Sequence, residues 1–155
     1  MFEQIESGVE KYKSLGKILI MGDLNSRTAN EIDYITDDDF LNQDIQLLPN
    51  VDDFLRSNKD KVLDIQGKRL IQLCKTTNLL ICNGRLNQDK DGNYTYINVN
   101  GESVVDYCLS NPDDFKYFLH FEACPPTDLS DHCALNICLQ TYRSTTESHD
   151  KTPIE

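Results

Sequence analysis

Apolar residues at the start of the chain recur at helical spacing. Phe2, Ile5, Val9 and Tyr12 share one face and Gly16 marks a stop, so an amphipathic helix is expected over 2–14. The period then shortens. Lys17-Ile18-Leu19-Ile20-Met21 is a compact apolar run that predicts a strand over 17–22 and leads straight into Gly22-Asp23-Leu24-Asn25. From Asn25 to about Val62 neither period survives. Glu31, Asp33, Asp37, Asp38, Asp39, Asp44, Asp52 and Asp53 gather there, which reads as a long acidic surface insertion over about 29–62, its carboxylates solvated. A calcium loop is the poorer reading, because the EF-hand spacing and its glycine are missing.

Order returns at Asp64, a helix N-cap, followed by Leu70, Ile71, Leu73 and Cys74 on one helical face. Leu79-Leu80-Ile81-Cys82 predicts a short buried strand ending at Asn83-Gly84, and residues 89–93 predict a turn. A strand over Tyr94–Val99 then meets Asn100-Gly101, the strongest hairpin signal in the chain, and returns over 103–109. Further strands are expected over 117–123 and 133–140, and a disordered tail over 141–155. Helix–strand alternation followed by antiparallel strands predicts a mixed α/β layer, one domain over 1–140.

Composition narrows the class. At 155 residues and 39% apolar, the chain suits one compact domain with a core. No stretch approaches a membrane span, and Met1-Phe2-Glu3-Gln4 lacks a signal peptide's basic and apolar regions. The expectation is a soluble intracellular protein, cytoplasmic or nuclear, with no membrane partner. Six cysteines with no CxxC pair sit mostly inside apolar runs and read as buried, reduced thiols. A net charge of −11 argues against holding nucleic acid by bulk electrostatics. It leaves room for an enzyme that meets phosphate through a metal ion, since a carboxylate-lined metal site is itself acidic.

Three places carry candidate chemistry. Asp23 and Asn25 follow an apolar strand at two-residue spacing, which aims a carboxylate and a carboxamide at one point. The competing reading is turn chemistry, in which such side chains bond nearby backbone. About a hundred residues later Ser130-Asp131-His132 precedes the last apolar run. Of the other histidines, His120 sits between Leu119 and Phe121 and reads as structural, while His149 lies in the polar tail. Asp106 stands among Val104, Val105, Tyr107 and Cys108, where a charge is costly unless paired. It is either an edge-strand carboxylate facing water or one that orients a histidine.

With these residues assembled, the chain resembles the endonuclease/exonuclease/phosphatase family, the DNase I-like and AP-endonuclease-like phosphodiesterases. Gly22-Asp23-Leu24-Asn25, the Tyr94–Tyr107 hairpin with Thr95 and Asp106, and Ser130-Asp131-His132 carry the likeness, in the family's order. Gly22 through Thr28, Leu79 through Arg85 and Ser103 to Tyr107 look closest to the endonuclease-like domains of non-LTR retrotransposons. The resemblance runs from about residue 15 to residue 140 and covers the C-terminal half of the family domain. It implies half of a four-layer α/β/β/α sandwich: one mixed, largely antiparallel sheet with helices on one face.

The resemblance also implies roles. Asp23 would position or deprotonate the attacking water, Asn25 would donate to a phosphate oxygen, and Asp131 would contribute to the metal site. His132 would contact the phosphate or act as general acid or base, with Asp106 orienting its far nitrogen. Thr95 would hold the local loop and Tyr96 is the nearest aromatic for stacking. The cofactor would be Mg²⁺, with Mn²⁺ as a substitute, and the substrate DNA. The family's principal metal-binding Glu belongs to the first half, so little or no activity is expected of these residues alone. Two other readings stay open. One is a phosphatase for a small phosphate ester or a lipid or inositol phosphate, with Arg27, Arg85 and Lys90 as the nearby basic residues. The other is a non-catalytic remnant that self-associates or binds a partner supplying the missing half.

Overall fold

A computed structural model describes residues 1–35 and 55–141. Helix α1 (Phe2–Tyr12) and strand β1 (Leu19–Asp23) form where the apolar period changes. Helix α2 (Ile65–Thr77) begins at Asp64, whose carboxylate accepts the Gly67 N–H, and ends at Asn78 in the left-handed region with φ 54°. Strands β2 (Leu80–Ile81), β3 (Tyr96–Asn98), β4 (Gly101–Ser103), β5 (Asp106–Ser110), β6 (Phe118–Ala123) and β7 (Leu135–Leu139) follow. Short 3₁₀ turns occupy Asn87–Asp89 and Pro112–Tyr117.

The chain is mixed α/β, and among the described residues all strand pairs are antiparallel. In place of one sheet the described residues form three small ones, ordered β1-β5-β2, β3-β4 and β6-β7. The cause is local. The strand expected over 103–109 breaks at Val104 and Val105, because the buried Thr95 hydroxyl accepts the N–H groups of Val105 (3.0 Å) and Asp106 (2.9 Å). The chain therefore leaves the β3–β4 hairpin and enters the central sheet as its middle strand, β5.

Alternation along β5 sorts the core into two sides. Tyr107 and Leu109 pack with Val9, Leu70, Leu73 and Cys74 of the helices. Cys108 packs with Cys82, Phe118 and Phe121 against the β6–β7 hairpin. Edge strand β1 leaves Leu19 and Met21 exposed. Of the six free cysteines, Cys74, Cys82, Cys108 and Cys133 are buried as expected, but Cys138 on β7 is exposed.

The acidic insertion is corrected at both described ends. Asp33 is fully buried, with Oδ2 taking Arg85 Nη1 at 2.7 Å and the Ile81 N–H at 2.8 Å. Asp60 is buried too, and Thr28 bridges to Leu63. Arginines far along the chain supply the compensating charge that an apolar pattern cannot reveal. Glu31 does face solvent. Asp37, Asp38, Asp39, Asp44, Asp52 and Asp53 lie outside the described residues, as do residues 142–155 with His149.

Gly67 fixes how the segment after β1 meets α2. A Cβ on it would stand 1.9 Å from the Arg27 carbonyl oxygen. Alanine ordinarily favours a helix by about 1 kcal/mol over glycine. Here the backbone clash outweighs that gain, so Gly67→Ala is expected to destabilise the protein by about 1–3 kcal/mol in urea unfolding.

Candidate active site

Antiparallel pairing puts Asp23 of β1 directly opposite Asp106 of β5. Two carboxylates on one rung repel each other. The His132 imidazole sits beside them, its Nδ1 at 3.0 Å from Asp106 Oδ2 and 3.2 Å from Oδ1. Asp106 thus takes the histidine-orienting role and not the water-facing one, its side chain 13% exposed against 41% for His132. The hydrogen bond to Asp106 raises the His132 pKa above its ordinary value. Partial burial opposes this, and the charges of Asp106, Asp23 and Asp131 reinforce it. A raised histidine pKa means the pairing is strongest at low pH and weakens as pH rises through that pKa. In metal-free protein an NMR titration should place the His132 midpoint above 6.5, and Asp106→Asn should lower it.

Several backbone contacts deliver these groups. Thr95 clamps the amides of Val105 and Asp106, and Asn83 Nδ2 donates to the Asp106 carbonyl at 3.2 Å. The segment carrying His132 is laid against β3: Ile97 N–H donates to the Asp131 carbonyl at 2.8 Å and Cys133 N–H to the Thr95 carbonyl at 2.7 Å. Ser130 Oγ accepts the His132 N–H at 3.0 Å. The Tyr96 ring meets the imidazole edge-on, centroids 4.9 Å apart, and Asn98 Nδ2 donates to its hydroxyl at 2.7 Å. Asp106 is held from β5 and His132 from the hairpin, so their contact ties the two sheets together.

Asp23 Oδ1 accepts the Asn25 N–H at 2.8 Å, so the turn chemistry considered for this pair is present. It does not remove the pair from the site. Asn25 takes a left-handed φ of 48° and lines a cleft of ≈ 410 Å³ with Asp23, Arg27, Asp64, Tyr96, Ser103, Val105 and His132. The two polar clusters therefore converge. Asp106 and His132 also border a neighbouring cleft of ≈ 490 Å³ with Cys124, Pro125 and Ser130. Asp131 does not line the first cleft; it is exposed, with Oδ2 at 3.5 Å from the Tyr96 hydroxyl.

Among the described residues no three His, Cys, Asp or Glu side chains converge to hold a metal. Asp23 in the cleft and the exposed Asp131 outside it are hard oxygen donors. Donors of this kind suit a hard divalent cation in preference to a soft one.

Sequence reasoning missed Asp60 and Asp64 as supports of the site. Asp60 grips Arg27 through Nε and Nη2, each at 2.7 Å, and Asp64 Oδ1 accepts the Arg27 N–H at 3.2 Å. Burial pushes the Asp60 carboxyl up, but Arg27 and the amides of Val62 and Val104 outweigh it and hold the pKa below the ordinary range. The N-cap signal at Asp64 was visible; nothing in the local pattern marks Asp60. No protein-family model matches the chain, and no curated protein matches it. The functional reading accordingly rests on the site.

Proposed function

We propose that this chain is a Mg²⁺-dependent phosphodiesterase of the endonuclease type, acting on DNA, and that it forms the C-terminal half of a four-layer α/β/β/α domain. The observation that carries the reading is the Asp106–His132 contact, with His132 lining the same cleft as Asp23 and Asn25. A carboxylate-fixed imidazole, a second carboxylate and a carboxamide in one cleft suit in-line attack of water on a phosphate ester.

Each residue has one task. His132 has Nδ1 committed to Asp106, which leaves Nε2 for the phosphate or leaving oxygen. Its raised pKa favours the cation, so it acts as proton donor and phosphate contact. That leaves Asp23 as the group that orients and deprotonates water, through the oxygen not taken by the Asn25 N–H. The Asn25 carboxamide donates to a non-bridging phosphate oxygen. Tyr96 packs edge-on against the imidazole and offers a ring for stacking. Mg²⁺ or Mn²⁺ would neutralise charge developing on the phosphate, with Asp131 as the carboxylate the resemblance assigns to it. The resemblance places the principal metal-binding Glu in the first half of the domain, so turnover by this chain alone would be slow at best.

Chromogenic esters test the reaction class. Bis(p-nitrophenyl) phosphate should be hydrolysed in Mg²⁺ and p-nitrophenyl phosphate left nearly untouched. The reverse preference would favour a monoesterase and overturn the diesterase reading.

A further inference from the structure

Of the three basic residues near the site in sequence, the fold selects one. Arg85 is withdrawn into the interior against Asp33, its side chain 3% exposed. Lys90 is absent from the cleft lining. Arg27 lines the cleft beside Asn25 and His132, and it is the sole Lys or Arg among the lining residues.

Arg27 is also held still. Its N–H donates to Asp64 Oδ1 and its carbonyl accepts the Asp64 N–H at 3.0 Å, so both backbone groups are fixed to the start of α2. Its guanidinium is forked onto Asp60, whose side chain is 1% exposed and which also accepts the amides of Val62 and Val104. A guanidinium has five N–H donors. Asp60 uses two of them, on Nε and Nη2, and the Arg27 side chain remains 33% exposed. The donors that Asp60 does not take belong to a fixed, part-exposed guanidinium of a residue that lines the cleft. A cation fixed this way loses little freedom when it binds.

We propose that Arg27 is the residue that reads substrate charge: it binds an anionic group next to the phosphate that is attacked. Asn25 and His132 already address the reacting phosphate, and a cleft of ≈ 410 Å³ is much larger than one phosphate group. Asp23 and Asp64 share the lining and repel anions, so offsetting the charge of a second phosphate group falls to Arg27. The substrate class that follows is a phosphate ester carrying a neighbouring phosphate, in preference to an isolated one. This inference rests on the phosphodiesterase reading for what is cleaved, but the anion site itself does not.

The test is binding of inorganic pyrophosphate and inorganic phosphate, followed by ³¹P NMR in metal-free protein. The native chain should bind pyrophosphate at least tenfold more tightly than phosphate. Arg27→Gln/Asp60→Asn, which removes the pair without leaving a buried charge, should abolish the preference. Arg27→Lys should keep part of it. His132→Ala should weaken both ligands and leave their ratio intact. A preference unchanged in a folded double variant, shown by circular dichroism, overturns the proposal. So does a native chain without preference. If the Arg27-dependent preference stands while bis(p-nitrophenyl) phosphate is not hydrolysed, the anion site is kept and the hydrolytic reading falls.

Discussion

Asp33→Ala is expected to destabilise the fold by about 3–5 kcal/mol, the range for removing one partner of a buried ion pair. Asp33 is 0% exposed and its Arg85 partner has a side chain 3% exposed. The carboxylate also accepts the Ile81 N–H and faces Arg56, whose pKa burial lowers and the Asp33 charge raises. Alanine would remove the carboxylate onto which Arg85 is forked in a low dielectric and leave an amide of β2 without its acceptor. A single domain is stable by about 5–15 kcal/mol, so the variant would lie near the edge of folding. Urea denaturation should show the midpoint falling with an unchanged slope. Glu31→Ala, exposed two residues earlier, should shift stability by less than about 0.5 kcal/mol. A loss below about 1 kcal/mol for Asp33→Ala would mean the pair is not buried as described.

The second large effect is on rate. Asp106→Asn preserves side-chain shape but removes the charge that favours the His132 cation. General acid–base assistance is worth on the order of 10²–10⁴-fold, so diester hydrolysis should fall by at least about 10² with KM little changed. Thermal melting should move far less than for Asp33→Ala, because Thr95 and Asn83 hold residue 106 through its backbone and not its carboxylate. Native-like rates in folded Asp106→Asn would remove the imidazole from the chemistry.

Asp23, Asn25, Asp106 and His132 were legible because each stands beside a short apolar run whose period fixes a strand. The facing of Asp23 and Asp106 depends on register, and a slip of one residue would turn one of them to the other face. Apolar alternation around both strands specifies that register. Less was legible wherever polar groups do the folding. The break that separates β4 from β5 comes from one hydroxyl ten residues back, at Thr95, and the return over 103–109 reads as unbroken without it. Asp33 and Asp60 look like members of an acidic run until Arg85 and Arg27 are placed against them. Their burial is set by contacts 52 and 33 residues apart in sequence, beyond the reach of any local period. Tyr96 was visible as an aromatic; its lock by Asn98 follows only from the turn geometry that brings the two together.

Nicking of supercoiled plasmid with and without Mg²⁺ puts the proposed activity to its most direct test, with Asp23→Ala and His132→Ala in parallel. The site as built predicts slow conversion of supercoiled to open-circular DNA that requires the metal and is lost in both variants. Nicking that persists in either folded variant, or that does not need the metal, would contradict it.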